Sequence, residues 1–184
     1  MSRAYIGLGA NLGDRALQLR QALSLLASPD CRVTRVSRVY ETAPVGPVAA
    51  QPPFYNAVAE LDCRLDARAL LRRALDVEAR LGRARSATTV PKGPRLIDLD
   101  VLLYDDQIGA WPELSLPHPE LRARRFVLAP LLELEPELRD PRDDQPLQAA
   151  LASLLDQRVE PRGVLDALAE GEQTARSRQR SAAC

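Results

Sequence analysis

Residues Leu96–Tyr104 read L-I-D-L-D-V-L-L-Y, and this stretch decides the fold. Ile97, Leu99 and Val101 alternate with Asp98 and Asp100, so a β-strand here sends apolar side chains to one face and both carboxylates to the other. Two residues along a strand span about 7 Å, close enough for the charges to repel. A divalent cation converts that cost into binding, and a carboxylate pair completed by substrate phosphates is the usual way Mg2+ is held. The plainer alternative is that both acids face solvent from the polar side of an amphipathic strand.

Upstream, Phe54–Leu61 also alternates, with Phe54, Asn56, Val58 and Glu60 on one face. Between these strands Asp66 caps a helix whose apolar stripe includes Leu70, Leu71, Ala74 and Leu75, and Gly82 ends it. Ala4–Gly9 reads as a short strand, and Asp14 caps a helix with Leu19, Ala22, Leu23 and Leu26 on one side. The β-rich composition of Arg32–Tyr40 makes it another strand. Proline-rich Glu41–Pro53 is a loop long enough to suggest binding, and Arg83–Arg95 is a second loop carrying only positive charge.

The order β-α-β-β-α-β predicts an α+β, ferredoxin-like core, an antiparallel sheet with both helices packed on one face. Leu121–Leu134 and Gln145–Leu155 add C-terminal helices. We expect one domain over residues 1–157 and a C-terminal extension over 158–184, whose stretch from Glu170 onward is too polar to order itself by burial.

Composition narrows the function. The chain has 184 residues, 46% hydrophobic, with 25 basic against 25 acidic side chains, so it is long enough to close a core and carries no general attraction to nucleic-acid backbones. No apolar run is long enough to span a membrane, and Met1–Asp14 lacks a signal-peptide pattern, which points to the cytoplasm. Cys31, Cys63 and Cys184 are odd in number and far apart, so no disulfide framework or zinc site is expected.

Several other residues carry candidate chemistry. In G-L-G-A-N-L-G, Gly7–Gly13, the glycine spacing fits neither the dinucleotide nor the P-loop template, yet Gly7 and Gly9 share a strand face and leave bare backbone for a flat ligand or phosphate. Arg83, Arg85, Lys92 and Arg95 precede the Asp pair, and Arg122, Arg124 and Arg125 follow His118, an arrangement that suits a polyphosphate. Glu78 lies on the apolar stripe of its helix and needs a partner, either Arg83 or Arg85 or a ligand. Phe54 beside Asn56 suits a planar heterocycle. With the last core strand beside the first, and the first beside the third, these features become neighbours on the face opposite the helices.

The blocks G-L-G-A-N-L-G-D-R (7–15), E-T-A-P-V-G-P (41–47), Q-P-P-F-Y-N-A-V (51–58), E-A-R-L-G-R-A-R (78–85), G-P-R-L-I-D-L-D-V-L-L-Y (93–104), L-P-H-P (116–119) and R-R-F-V-L-A-P-L (124–131) resemble the 6-hydroxymethyl-7,8-dihydropterin pyrophosphokinases of folate biosynthesis. The resemblance implies transfer of pyrophosphate from ATP to the pterin alcohol, with AMP as the other product. It implies Mg2+, two ions with ATP, held by Asp98 and Asp100, which with Arg95 form the catalytic set. Thr42, Pro44, Val45, Phe54, Asn56, Phe126 and Gly9 would bind the pterin. Glu78, Arg83, Arg85, Arg95, His118 and Arg124 would bind ATP. Its partners would be these small molecules alone, with no nucleic acid and no membrane, and the protein would be a monomer. Lys92 stands where the family often has a tryptophan.

Two other readings fit parts of the pattern. An RNA-binding module of the same architecture needs exposed aromatics and a basic surface, whereas this chain has one tryptophan, four tyrosines, two phenylalanines and no net charge. A nucleotidyl or single-phosphoryl transferase could use the same two carboxylates, and the products distinguish it.

Overall fold

The computed structural model describes residues 1–44, 51–83 and 93–166. The chain runs β1 (Ser2–Ala10), α1 (Arg15–Leu26), β2 (Cys31–Val36), β3 (Val39–Thr42), β4 (Phe54–Cys63), α2 (Ala67–Arg80) and β5 (Asp98–Tyr104). It continues through β6 (Gly109–Ala110), β7 (Ser115–Leu116), a 3-10 turn at Leu121–Ala123, α3 (Arg125–Leu134), β8 (Arg139–Asp140), β9 (Gln145–Pro146), α4 (Leu147–Ala152) and β10 (Val159–Gly163).

The main sheet has the order β10-β3-β4-β1-β5, with β2 also pairing with β4, and every pairing is antiparallel. Both predicted caps are present: Asp14 accepts from the Leu17 N–H at 3.0 Å and Asp66 from the Ala69 N–H at 2.7 Å. Gly82, at φ +87°, follows α2 in the left-handed conformation that a side chain would strain. Helices α1 and α2 bury Leu19, Leu26 and Leu70 completely against Ile6, Leu8, Leu61 and Leu99 of the sheet. Each such leucine contributes about 1.5–3 kcal/mol.

Two expectations change. Arg32–Tyr40 is two strands, because Ser37 interrupts it: its N–H donates to the Val58 carbonyl at 2.9 Å and its Oγ accepts from the Val58 N–H at 3.0 Å. A side chain thus replaces a main-chain partner, and β2 and β3 take opposite halves of β4. Helices α1 and α2 share one face, as expected, and the added C-terminal helices lie on the other. Leu128 and Leu131 of α3 and Leu147 of α4 pack with Tyr5, Val58 and Leu102 on the other side of the sheet, covering part of it. Finally, Cys31 and Cys63 pair as a disulfide, since the β2–β4 register sets them opposite one another despite a separation of 32 residues.

Two further features place the site. Helix α3 is tied at its far end, where Glu133 accepts from the Tyr40 hydroxyl at 2.8 Å and the Arg38 N–H at 3.1 Å, and Arg35 donates to the Leu134 carbonyl at 2.5 Å. The stretch expected as an extension opens with β10, hydrogen-bonded along β3, and Leu165 joins the core. Among the described residues no helix is long and apolar enough to cross a membrane.

Asp140, fully buried, locks the β8–β9 turn through Arg142 at 2.5 Å and Arg122 at 2.7 Å. Burial alone pushes its pKa up, but the Arg142 side chain and N–H together with Arg122 outweigh this and hold it below the usual aspartate value. A depressed pKa stabilises the fold above the unfolded value of about 3.9, and that stability is lost as pH falls through the folded value. Asp140→Asn should therefore cost roughly 1–3 kcal/mol at pH 7 in urea unfolding, with the difference from wild type shrinking at acid pH; a pH-independent difference would contradict the assignment.

Candidate active site

Strand β1 reaches the uncovered part of the sheet carrying two glycines, and its register on both sides builds the site. Gly9 is paired with Asn56 on β4 and Asp98 on β5, and Gly7 with Asp100. A Cβ on Gly9 would stand 3.1 Å from Asn56 Oδ1 and 3.9 Å from both the Phe54 ring and Asp98 Cβ. Glycine there keeps open the floor of a cavity whose walls include Phe54, Asn56, Asp98, Asp100, Arg124 and Phe126.

Two aromatic rings line the cavity. Phe54, on β4, is buried and lies 5.5 Å from the Arg95 guanidinium; Phe126, in the first turn of α3, is half-buried and lies 5.6 Å from that of Arg124. Asn56 Nδ2 donates to Thr42 Oγ1 at 2.8 Å, which fixes the plane of a buried amide beside the rings. Thr42 and Ala43 line the cavity; Pro44 does not, and Val45 lies outside the described residues.

Charged groups line the same cavity. Asp98 pairs with Arg83 and, at 2.9 Å, with Arg95; Asp100 stands 3.8 Å from Arg124, which also pairs with Glu120. Burial, then the neighbouring Asp98 charge, raises the Asp100 pKa above the usual aspartate value despite Arg124, Arg95 and His118. Burial likewise lowers Arg124. For Arg83 burial is the largest influence and acts downward, but Asp98 and Glu78 outweigh it and the pKa rises.

Glu78 and His118 stand behind this wall and do not line the cavity. Glu78, 1% exposed, accepts from the Leu99 N–H at 2.8 Å and pairs with Arg83, so it joins the end of α2 to β5 between the two aspartates. His118 Nδ1 accepts from the Glu120 N–H at 3.1 Å, which leaves Nε2 to carry the proton of the neutral ring. Burial lowers its pKa, more strongly than Asp100 raises it. Arg85 and Lys92 lie outside the described residues.

The structure adds residues that sequence reading passed over. Glu120 and Ala123 line the cavity, and Glu120 sits four residues before Arg124, a spacing visible in the sequence. Asn11 lies in the glycine-rich stretch, where backbone access drew attention away from its amide.

Asp98 and Asp100 are hard oxygen donors facing one cavity; burial first and the Asp98 charge second disfavour the ionised form of Asp100, and a cation would favour it. Among the described residues no third acid, histidine or cysteine joins them. A divalent ion there would complete its shell from ligand oxygens and water, as Mg2+ prefers.

A model of the family described as 7,8-dihydro-6-hydroxymethylpterin-pyrophosphokinase matches residues 5–136. The 2-amino-4-hydroxy-6-hydroxymethyldihydropteridine pyrophosphokinase of Pseudomonas aeruginosa is 40% identical over 154 residues, covering 83% of this chain and 92% of its own. The protein of the same name from Methylorubrum extorquens is 44% identical over 139 residues, covering 75% and 85%. The folic acid synthesis protein fol1 of Schizosaccharomyces pombe is 42% identical over 157 residues, and the chain spans only 21% of its length. Among solved structures, wild-type Plasmodium falciparum HPPK-DHPS with STZ-DHP superposes with a TM-score of 0.66 at 14% identity, covering 84% of this chain and 43% of that one, a likeness of fold.

An aspartate whose pKa is raised on folding costs stability above its unfolded value of about 3.9 and ceases to cost it below. Asp100→Asn should therefore shift the urea midpoint of the ligand-free protein upward at pH 7, with the gain fading as the medium becomes more acid than that value. A lower midpoint would mean that Arg124 outweighs the repulsion.

Proposed function

The chain belongs to the 7,8-dihydro-6-hydroxymethylpterin-pyrophosphokinase family, and we infer that it transfers pyrophosphate from ATP to 6-hydroxymethyl-7,8-dihydropterin in folate biosynthesis. The observation that carries this reading is the pairing of Gly9 with Asn56 on one side and Asp98 on the other, which joins an aromatic slot to a carboxylate pair in one cavity. Phe54 and Phe126 sandwich the pterin ring, and Asn56, held by Thr42, reads its polar edge. Gly9 leaves room for the ring to approach the sheet. Pro44 and Val45 are assigned to the pterin on the family resemblance alone.

Arg95 and Arg124 face the polyphosphate, and Arg83 joins them by leaving Asp98. Arg85 is assigned to ATP on the family resemblance alone. Glu78 and His118 serve the nucleotide site from behind: one anchors Arg83 and β5, the other lies beside Asp100 with Nε2–H as its only donor. Mg2+ ions bound at Asp98 and Asp100 would supply neutralising charge to the phosphate oxygens. The pterin hydroxymethyl oxygen forms a bond to the β-phosphorus while the bond between that phosphorus and the α-bridging oxygen breaks, the hydroxyl proton passes to solvent water and AMP leaves. Asp98 is held by guanidinium groups in the free protein and would be occupied by the cation in the complex, so the proton is not assigned to it. Acceleration comes chiefly from alignment and charge neutralisation, as is usual for phosphoryl transfers. We place the enzyme in the cytoplasm, acting as a monomer on small molecules alone.

Incubation with ATP, Mg2+ and the pterin alcohol should yield AMP and pterin diphosphate, read by anion-exchange chromatography. ADP as the nucleotide product would reject pyrophosphoryl transfer and favour a single-phosphoryl transferase. Phe126→Ala should weaken pterin binding about 10-fold or more, the loss of one ring-stacking contact, and leave ATP affinity near wild type. Equal losses for both ligands in calorimetric titration would speak against the sandwich.

A further inference from the structure

Gln157 stands two residues before β10 and has no part in the chemistry above. Its carboxamide meets the main chain on both sides of Arg124. Nε2 donates to the Ala123 carbonyl at 2.9 Å, and Oε1 accepts from the Arg125 N–H at 2.8 Å. Those two groups belong to the peptide planes that flank the Arg124 Cα, so one planar side chain holds both φ and ψ of that residue. Arg124 is accordingly extended, at φ −122° and ψ 105°, between the 3-10 turn and α3.

The sequence favours one helix over Leu121–Leu134, and Gln157 engages the groups that such a helix would use. In an unbroken helix the Arg125 N–H would bond back to the Leu121 carbonyl, and the Ala123 carbonyl would accept from the Val127 N–H. Instead the Val127 and Leu128 N–H groups both donate to the Arg124 carbonyl, at 3.1 and 3.0 Å. The Arg124 side chain makes no capping bond, and Gln157 satisfies the Arg125 N–H from a remote part of the chain. Gln157 is itself held, because the Arg125 guanidinium donates to the Leu154 and Gln157 carbonyls at 3.3 and 3.4 Å, and β10 then pairs with β3.

We propose that Gln157 is the positioning residue of Arg124: by holding the break before α3, it keeps that guanidinium aimed into the cavity toward Asp100 and a bound polyphosphate. This rests on the function proposed above for the identity of the ligand. With the break in place Arg124 lines the cavity, 3.8 Å from Asp100. A residue's Cβ direction follows from its φ and ψ, so carrying the helix back through Arg124 would turn the side chain away. The main chain is already set before a ligand arrives, so the gain is preorganisation, which lowers the cost of fixing the arginine on a phosphate.

The experiment is calorimetric titration of the full chain with Mg2+ and a non-hydrolysable ATP analogue. Gln157→Met has glutamine's length without its donor or acceptor, and should weaken nucleotide binding about 10-fold. In an Arg124→Ala background the same substitution should change it less than about twofold, because its effect passes through the missing guanidinium. In turnover the ATP KM should rise more than the pterin KM, since Phe126 lies inside α3 and the far end of that helix keeps its anchors. Gln157→Glu retains the acceptor for the Arg125 N–H, should lose less, and carries the same comparison if the methionine variant does not fold.

Unchanged nucleotide affinity in both Gln157 variants would overturn the role of Gln157. So would an equal loss with and without Arg124, which is what a merely structural residue would give. Either result leaves pyrophosphoryl transfer standing. A wild type that binds no nucleotide would instead overturn the function itself, and the role of Gln157 with it.

Discussion

The position of β1 between β4 and β5 is the constraint from which the rest of the site follows. Side chains alternate along a strand, so a slip of one residue would turn Asp98 and Asp100 into the apolar layer and push Leu99 and Val101 out of it. Leu99 and Val101 are buried beside Ile6 and Leu8 under α1 and α2, which makes that slip prohibitive. The hydrophobic core thus holds the two carboxylates in place. The same register sets glycines of β1 against them, so that the carboxylates and the aromatic rings share one cavity.

Holding like charges in a partly enclosed cavity is unfavourable, and the surrounding arginines offset it. In the free protein Arg83 and Arg95 sit on Asp98 and Arg124 lies near Asp100, so acid and base nearly cancel. Breaking a buried pair without replacing it is expensive. On the function proposed above, a polyphosphate accompanied by divalent cations would replace these partners together, phosphate oxygens taking guanidinium groups and cations taking carboxylates. Such an exchange would conserve charge pairing, so affinity would arise from geometry more than from uncompensated Coulomb attraction. Glu78 stands behind Arg83, and its bond to the Leu99 N–H ties α2 to β5 independently of that arginine.

What the sequence made legible was what local chemistry determines. Asp14 and Asp66 announce their helices because a carboxylate at that position meets free N–H groups in the next turn. The alternation in Phe54–Leu61 and in the aspartate stretch gave the two strands and their faces, and with the strand order it predicted that Gly9, Phe54, Asn56 and the aspartates would meet. What was not legible depended on partners far along the chain. Ser37 interrupts a strand only because Val58 lies opposite it, and Cys31 meets Cys63 only through the β2–β4 register. Glu78 could be seen to need a partner, but the Leu99 N–H is not a residue type that a sequence displays. Asn11 was hidden for the same reason, since three of its four hydrogen bonds are to main-chain atoms.

The aromatic slot has walls of unlike origin, and this bears on how it is held to width. Phe54 and Asn56 belong to a central strand paired on both sides, so their spacing from Gly9 is set by hydrogen-bond geometry. Phe126 belongs to α3, which crosses the sheet and is secured at its far end by Glu133, Tyr40, Arg38 and Arg35. Its first turn is held as well, by Gln157, whose Oε1 accepts from the Arg125 N–H at 2.8 Å and whose Nε2 donates to the Ala123 carbonyl at 2.9 Å. The position of Phe126 is therefore set by Gln157 at one end of the helix and by the β2–β3 segment at the other. Tyr40 stands in that segment directly opposite Asn56 in the β3–β4 register, so one strand pair supports both walls.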